Sequence, residues 1–259
     1  MTVRWPSEAI WEAVAPVLPG FTVEVLPEID STNSELMRRA RAGQLEPVLL
    51  VAERQNAGRG RLGRQWDSDT HGGGGTLTFS LGLPLSPVDW SGLSLAVGLA
   101  VVNSLHPGLR LKWPNDVWWQ ERKLAGILIE TASVGEQRYA VIGIGINITA
   151  RPDTGLRTPA AALQELLPGI QAPEVLARVA LPLVHTLQRF GHDGFAPLRE
   201  PFQARDLLYG REVLCSDGLC GLARGVDAHG ALLVHTAQGL KKVTSAEVSV
   251  RPVASPPIP

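Results

Sequence analysis

The chain has little that would tie it to a membrane, a disulfide scaffold or a bulk nucleic-acid surface. Only two of its 259 residues are cysteine, Cys215 and Cys220. Two thiols cannot build a disulfide framework or a four-ligand zinc site. They flank the turn sequence Ser216-Asp217-Gly218, so they are expected as free thiols on facing strands of one hairpin. The six histidines (His71, His106, His185, His192, His229 and His235) fall at no ligand spacing, and none is assigned a role. A net charge of −1 gives no global basic field to collect nucleic acid or an anionic membrane. No unbroken apolar run reaches the length of a transmembrane helix. The N-terminus, MTVRWPSEAIWEAV, lacks the basic-then-apolar order of a signal peptide. A cytoplasmic location without membrane contact is therefore expected. Aromatic residues are only 5% of the chain, yet seven are tryptophan. Trp5, Trp11 and Trp90 read as packing, Trp66 and Trp113 fall in motifs, and Trp118-Trp119 suits either core or interface.

What is present describes an ordinary globule, with 44% hydrophobic and 19% charged residues. Ser7 as N-cap and the spacing of Ile10, Trp11, Val14 and Leu18 predict a helix over 7–18. Residues 21–26 alternate and are β-branched, which predicts a strand. Thr32 as N-cap with Glu35 three residues on predicts a capping box, and that helix should end at Gly43. Strands are expected over 47–53, 76–83, 110–113, 117–119, 123–131 and 137–148, and an apolar helix over 91–105. The Pro- and Thr-rich stretch 150–159 resembles a mobile loop. Helices are expected over 173–191, kinked or divided by Pro182, and over 195–208. From Gly210 five short strands (211–215, 219–226, 231–236, 239–244 and 247–251) alternate with turns. The expectation is an α+β protein: a mixed, largely antiparallel sheet with helices on one face, followed by a small SH3-like β-barrel. The boundaries are 1–208, 209–253 and a tail at 254–259.

Four runs carry chemistry. Gly-Arg-Gly-Arg-Leu-Gly-Arg-Gln-Trp at 58–66 alternates glycine with arginine. Glycine lets backbone approach a ligand closely, and arginine's planar fork matches phosphate or carboxylate oxygens. No Gly-Lys-Ser/Thr follows, so it is not a P-loop; a solvated basic loop that brushes RNA is the alternative. Lys112-Trp113-Pro114-Asn115-Asp116 places a lysine and an indole directly before a turn. Lys123-Leu124-Ala125-Gly126-Ile127-Leu128-Ile129-Glu130 opens a strand with lysine and carries Gly126 in its interior, a mark of close approach. Gly143-Ile144-Gly145-Ile146-Asn147 bares one strand face and lacks the helix and third glycine of a Rossmann turn.

With Ser31-Thr32-Asn33 and Gln55, these runs stand in the order found in biotin protein ligases. The chain resembles that family from about residue 22 to 251, with five motifs at fitting intervals, and so resembles the class II aminoacyl-tRNA synthetase/biotin ligase fold. The resemblance implies that biotin and MgATP give biotinyl-5′-adenylate, whose biotinyl group passes to a lysine of a biotin carboxyl carrier protein. It implies biotin contacts from Ser31, Thr32, Asn33, Gln55, Arg59, Gly60, Arg61, Lys123 and Gly126. It implies ATP or adenylate contacts from Gly58, Arg59, Arg61, Trp66, Lys112, Asn115 and Asn147. Catalytic roles fall to Lys123, Arg59, Lys112 and Asp116, with Asp116 also the candidate for Mg²⁺ and for assisting the attacking lysine. Joining a carboxylate to an α-phosphate needs such fixed cations, and the mixed anhydride needs shielding from water.

Leu62 departs from the polar or basic residue of many relatives, which implies looser or more apolar loop packing. The glycines at 72–75 imply a mobile far end. About twenty residues precede the first strand, too few for the DNA-binding domain some relatives carry, so no operator binding is expected. A lipoate ligase of the same superfamily and a non-enzymatic biotin sensor are the rival functions. A homodimer, or carrier docking, would suit an open sheet edge beside the site.

Overall fold

A computed structural model describes residues 3–68, 75–151, 158–244 and 250–252. The glycines 72–74, residues 152–157 of the Pro/Thr-rich stretch, residues 247–249 of the last expected strand and the tail lie outside the described residues.

Twelve strands and five α-helices alternate along the described chain. Helix α1 (Ser7–Val14) leads to β1 (Thr22–Ile29), α2 (Thr32–Arg41), β2 (Val48–Gln55) and β3 (Thr76–Pro84). Then come α3 (Leu93–Leu105), β4 (Arg110–Lys112), β5 (Asp116–Trp119), β6 (Arg122–Val134) and β7 (Gln137–Asn147). Helices α4 (Ala172–Asp193) and α5 (Arg199–Gln203) precede β8 (Glu212–Cys215), β9 (Cys220–Val226), β10 (Leu232–Thr236), β11 (Gly239–Val243) and β12 (Val250–Pro252). The first seven strands form one sheet in the order β1-β2-β3-β7-β6-β5-β4. Only β1 and β2 run parallel; every other pair is antiparallel.

Strand alternation splits the core into two layers. On one face Leu49, Val51, Leu77, Phe79, Leu81, Ile142 and Ile144 pack with α3 and α4 residues such as Val97, Val101, Val179 and Leu183. On the other face Val48, Leu50, Tyr139 and Val141 meet Leu36, Met37 and Ala40 of α2. The helices are therefore not confined to one face. Helix α2 covers the opposite one because its stripe at 36, 37 and 40 needs an apolar partner and finds it there.

Several local expectations change. Helix α1 ends at Val14, and Ser7 is its first residue, with Pro6 at the cap and no side-chain cap bond. The cap of α2 is Ser31, whose extended backbone (φ −161°, ψ 133°) lets its hydroxyl accept from the Ser34 N–H, so Thr32 is helical. Glu35 does not close a capping box; it pairs with Arg38 at 2.7 Å and Arg39 at 2.9 Å. Pro182 sits inside the single 22-residue helix α4 without dividing it. The 195–208 stretch yields only a 3₁₀ turn and the five-residue α5, because Arg205 and Leu207 hydrogen-bond to Leu111 as an extended chain beside β4. Trp11 is half exposed instead of packed, whereas Trp118 is buried and Trp119 stacks edge-on against His106.

The last five strands form an antiparallel sheet in the order β11-β10-β9-β8-β12. Its edge strands β11 and β12 do not pair with each other, so among the described residues the sheet is open and not a closed barrel. Three-residue β12 satisfies only β8. Cys215 and Cys220 are free, on β8 and β9 as expected.

Candidate active site

The site lies on the α2 side of the large sheet, and its floor is one transverse row. Thr78, Gly145, Gly126, Asp116 and Lys112 are successive cross-strand partners on β3, β7, β6, β5 and β4. Direct partners in antiparallel strands share a face, so two glycines lie between a hydroxyl at one end and an ion-pairing end at the other. The adjacent row continues this floor through Ser80, Gly143 and Leu128. Both glycines of the 143–145 run are sterically required: a β-carbon at Gly143 would collide with Asn33 Oδ1, and one at Gly145 with the Trp66 ring.

The neutral end is assembled by the start of α2. Gln55 Oε1 accepts from the Thr32 amide at 2.8 Å and the Thr32 hydroxyl at 3.1 Å. Ser80 Oγ lies 2.7 Å from Thr32 Oγ1 and 2.6 Å from Asn33 Oδ1. Ser31, Thr32, Asn33, Gln55 and Ser80 are all buried. Such a chain of uncharged donors and acceptors in low dielectric is costly unless satisfied, and it fixes orientation.

The charged end is built by the turn between β4 and β5. Asn115 clasps Ile127, accepting its amide through the backbone at 3.0 Å and donating its side-chain amide to the Ile127 carbonyl at 2.7 Å. This holds Asp116 2.7 Å from Lys123 Nζ. Lys112 is buried, its ammonium 5.2 Å from the Trp118 ring centroid. Burial pushes the Lys112 amine below the ordinary lysine range, opposed by the Asp116 charge. Burial likewise lowers Arg61, whose Nη1 donates to Asn115 Oδ1 at 3.4 Å.

The arginine run forms the roof as a small closed hairpin. The Trp66 amide donates to the Gly58 carbonyl at 2.9 Å and the Gly60 amide to the Arg64 carbonyl at 2.7 Å. Gly58 is needed because a β-carbon there would strike the Trp66 carbonyl. At the tip, Leu62 takes a left-handed conformation (φ 58°) and is 51% exposed, so it adds no apolar packing to the loop. The Trp66 indole lies over Gly145, with Lys123 Nζ and the Arg151 guanidinium each 5.9 Å from its centroid.

All the expected site residues except Gly58 and Asn147 line this one cavity. Gly58 opens onto the outer side of the hairpin. Asn147 stands behind Lys123, donating to its carbonyl at 3.2 Å, with a buried Oδ1 that has no partner. Sequence reasoning missed Thr78, which lines the cavity, Ser80, which bonds to Thr32 and Asn33 behind its wall, and Arg64 and Val250, which also line it. The polar alternation in Thr76-Leu77-Thr78-Phe79-Ser80 was the available signal for the first two; nothing near Val250 marked it. Among the described residues no cluster of three metal-ligating side chains exists, and Asp116 is the sole carboxylate on the cavity wall. That donor set fits a magnesium ion carried by phosphates and touched by one carboxylate, not an all-protein cage. No helix of the described chain is long and apolar enough to cross a membrane.

Comparison with known proteins identifies the family. Residues 25–147 match the biotin/lipoate A/B protein ligase family, and residues 218–251 match the biotin protein ligase C-terminal domain. The chain is 36% identical over 245 residues to the bifunctional ligase/repressor BirA of Escherichia coli, covering 90% of this chain and 75% of that protein. It is 35% identical over 228 residues to the biotin–[acetyl-CoA-carboxylase] ligase of Mycobacterium tuberculosis, covering 81% and 82% respectively. Among solved structures, the biotin protein ligase of Aquifex aeolicus in complex with biotin and ATP superposes with a TM-score of 0.75 at 32% identity, over 89% of this chain and 99% of that one. The chain thus belongs to the biotin protein ligases of the biotin/lipoate ligase family.

Proposed function

We propose that this protein activates biotin with MgATP to biotinyl-5′-AMP and pyrophosphate, and then transfers the biotinyl group to a lysine of a biotin carboxyl carrier protein. The observation that carries the reading is the polarity gradient along one glycine floor. An uncharged pocket of hydroxyl and amide side chains opens onto a zone holding Lys112, Lys123, Arg61 and Arg64. Biotin has the same polarity: a neutral ureido head that needs oriented donors and acceptors, and a carboxylate tail that must meet a phosphate.

The residue roles follow from position. Ser31, Thr32 and Gln55 take the ureido head, with Asn33 and Ser80 shaping the pocket behind them. Gly126, Gly143 and Gly145 let the ligand lie on backbone. Lys123 stands where carboxylate and α-phosphate meet, with the Asp116 carboxylate 2.7 Å from its ammonium. Lys112, Arg61 and Asn115 face the phosphates, and fixed charges there stabilise the charge that builds at the α-phosphate. Asp116 is the carboxylate available to a phosphate-borne Mg²⁺, which neutralises the triphosphate when bound. Trp66 offers a ring face to the adenine, and Asn147, outside the cavity wall, holds the Lys123 carbonyl from behind. The closed hairpin 58–66 keeps water from the anhydride.

In the second step Asp116 accepts the proton of the attacking carrier lysine. Asp116→Asn should then slow transfer from preformed biotinyl-5′-AMP; an unchanged rate would exclude this role. The carrier docks along the outer edge of β6. Strand β5 pairs with β6 only as far as Gly126 and Asn115 takes both backbone groups of Ile127, leaving 128–134 without a strand partner on that side. The same edge would serve a homodimer. Two free thiols suit a cytoplasmic setting.

A lipoate ligase is disfavoured by the Thr32–Gln55–Ser80 chain, which a dithiolane ring cannot satisfy. Pyrophosphate exchange into ATP, run with biotin, with lipoate and with no acid, tests the reading. Exchange is expected with biotin alone. Exchange with lipoate alone would move the function to lipoylation, and tight biotin binding without exchange would leave a sensor.

A further inference from the structure

We propose that Glu130 is a positioning residue that ties the biotin head pocket to its arginine cover, and that the Arg59 side chain serves this tie instead of the phosphates. The proposal rests on the biotin ligase reading for its ligand, though its geometry does not. Glu130 lies on β6 four residues beyond Gly126 and therefore on the same sheet face as the site floor. Its carboxylate grips the Arg59 guanidinium in a two-toothed arrangement, Oε1 to Nη2 at 3.0 Å and Oε2 to Nη1 at 3.2 Å. The same Oε2 accepts from Asn33 Nδ2 at 3.0 Å. Arg59 Nη1 also reaches Ser34 Oγ at 3.4 Å. One carboxylate thereby gathers the first turn of α2, strand β6 and the hairpin that roofs the cavity.

Asn33 carries the tie inward. Its Oδ1 accepts from Ser80 at 2.6 Å and presses on Gly143, while its Nδ2 is shared between Glu130 and the Leu128 carbonyl at 3.3 Å. Both ends of the amide are thus occupied by protein, and its orientation is fixed by Glu130 from one side and Ser80 from the other. The hairpin and the head pocket, 25 residues apart between Ser34 and Arg59, share a single anchor.

The cations of the site divide accordingly. Lys112, Lys123, Arg61, Arg64 and Arg59 all line the cavity, and Asp116 is the one carboxylate on its wall. Arg59 is matched by its own carboxylate at the rim. With side-chain exposures of 49% and 22%, the Arg59–Glu130 pair is screened by water and adds little to folding. Ligand enclosure removes that water and strengthens the pair. Its effect therefore falls on how long the adenylate stays enclosed, more than on stability.

The test uses synthetic biotinyl-5′-AMP added directly to the full chain, in the wild type, Glu130→Gln, Arg59→Gln and the double variant, with its release rate measured after dilution into competitor. The expected result is release roughly 5- to 10-fold faster in each single variant, with the double variant no faster than either. Thermal stability should be nearly unchanged. Additive effects, or release unchanged in Glu130→Gln, would overturn the proposal. Hydrogen exchange at the Gly60 and Trp66 amides of the ligand-free proteins provides a second readout, independent of the substrate. Faster exchange in Glu130→Gln is expected, and unaltered exchange would overturn the tie. Failure of the wild type to bind the adenylate would count against the biotin reading and leave the exchange result to decide on Glu130.

Discussion

The indole Nε1 of Trp113 donates to the carbonyl of Gly230 at 3.0 Å, a buried bond between residues 117 apart. It joins the turn that carries Asn115 and Asp116 to the β9–β10 turn of the C-terminal sheet. The same turn is held by Arg199 Nε on the Val226 carbonyl at 2.9 Å and by His229 Nδ1, 2.8 Å from Asp89 Oδ2. Gly230 packs so closely on Gly92 that a β-carbon would press on its backbone. Val250 of β12 reaches the cavity wall. The C-terminal sheet thus braces the turn that carries Asp116 and reaches the cavity at the end proposed for the nucleotide. Trp113→Phe keeps an aromatic side chain but removes the indole donor, strands the Gly230 carbonyl and leaves a small void, so it should cost at least about 1–3 kcal/mol in urea unfolding. KM for ATP should rise several-fold with KM for biotin unchanged; equal changes in both would mean that the bond has only a general structural role.

Gly143→Ala and Gly145→Ala probe the floor. The first drives a methyl into Asn33 Oδ1 and should disturb the head pocket. The second strikes the Trp66 ring and should disturb the nucleotide end. Overpacking of this kind costs roughly 1–3 kcal/mol. We expect KM for biotin to rise about tenfold or more in Gly143→Ala and KM for ATP to be the more affected in Gly145→Ala. Steady-state kinetics with each substrate varied in turn would show a reversed pattern if the polarity assignment were wrong.

Lys112 gives a pH signature. Burial favours its neutral amine, so in the folded protein it loses its proton below the ordinary lysine value of 10.5. As pH rises toward that value a cation leaves the phosphate region, and KM for ATP should climb earlier than an exposed lysine would allow. Lys112→Gln should show a high KM throughout and lack this limb. For folding, the unfolded chain binds the extra proton in this window, so this group's contribution makes stability rise with pH there. KM for ATP measured from pH 7 to 10 in both proteins checks the first expectation.

Asp206 acts in the opposite direction at lower pH. Burial raises its pKa from 3.8 to about 6, and its Oδ2 has no partner, while Oδ1 accepts from the Leu208 amide at 2.8 Å. Between these values the folded state holds the proton that the unfolded state has lost. Stability from this group is therefore full below about pH 4 and falls as pH rises through 6, by at most about 3 kcal/mol. Asp206→Asn keeps the Leu208 acceptor without the charge. The difference in Tm between wild type and variant should shift against the wild type from pH 4 to 7; a shift in its favour would refute the assignment.

Local chemistry was legible where it depended on neighbours in sequence. The glycine-arginine run had to be a tight turn, the β-branched alternations had to be strands, and Lys-Trp-Pro-Asn-Asp had to be a turn with a charge before it. The errors came where distant contacts overrode local preference. Ser31, not Thr32, caps α2 because the Thr32 amide and hydroxyl are held by Gln55. Glu35 leaves the capping box for Arg38 and Arg39. Pro182 is carried inside α4, whose apolar stripe is buried over its whole length.

The sequence by itself determined which groups the protein owns: the glycines that admit a ligand, the hydroxyls and amides of a neutral pocket, and the cations for phosphate. Tertiary structure alone decided which of them meet. Thr78, Gly145, Gly126, Asp116 and Lys112 form one row only because four antiparallel strand pairings bring them into register. Ser80 beneath Thr32, Glu130 across from Arg59 and Val250 in the cavity wall are likewise products of register and docking. Such contacts are long-range, and no local propensity encodes them.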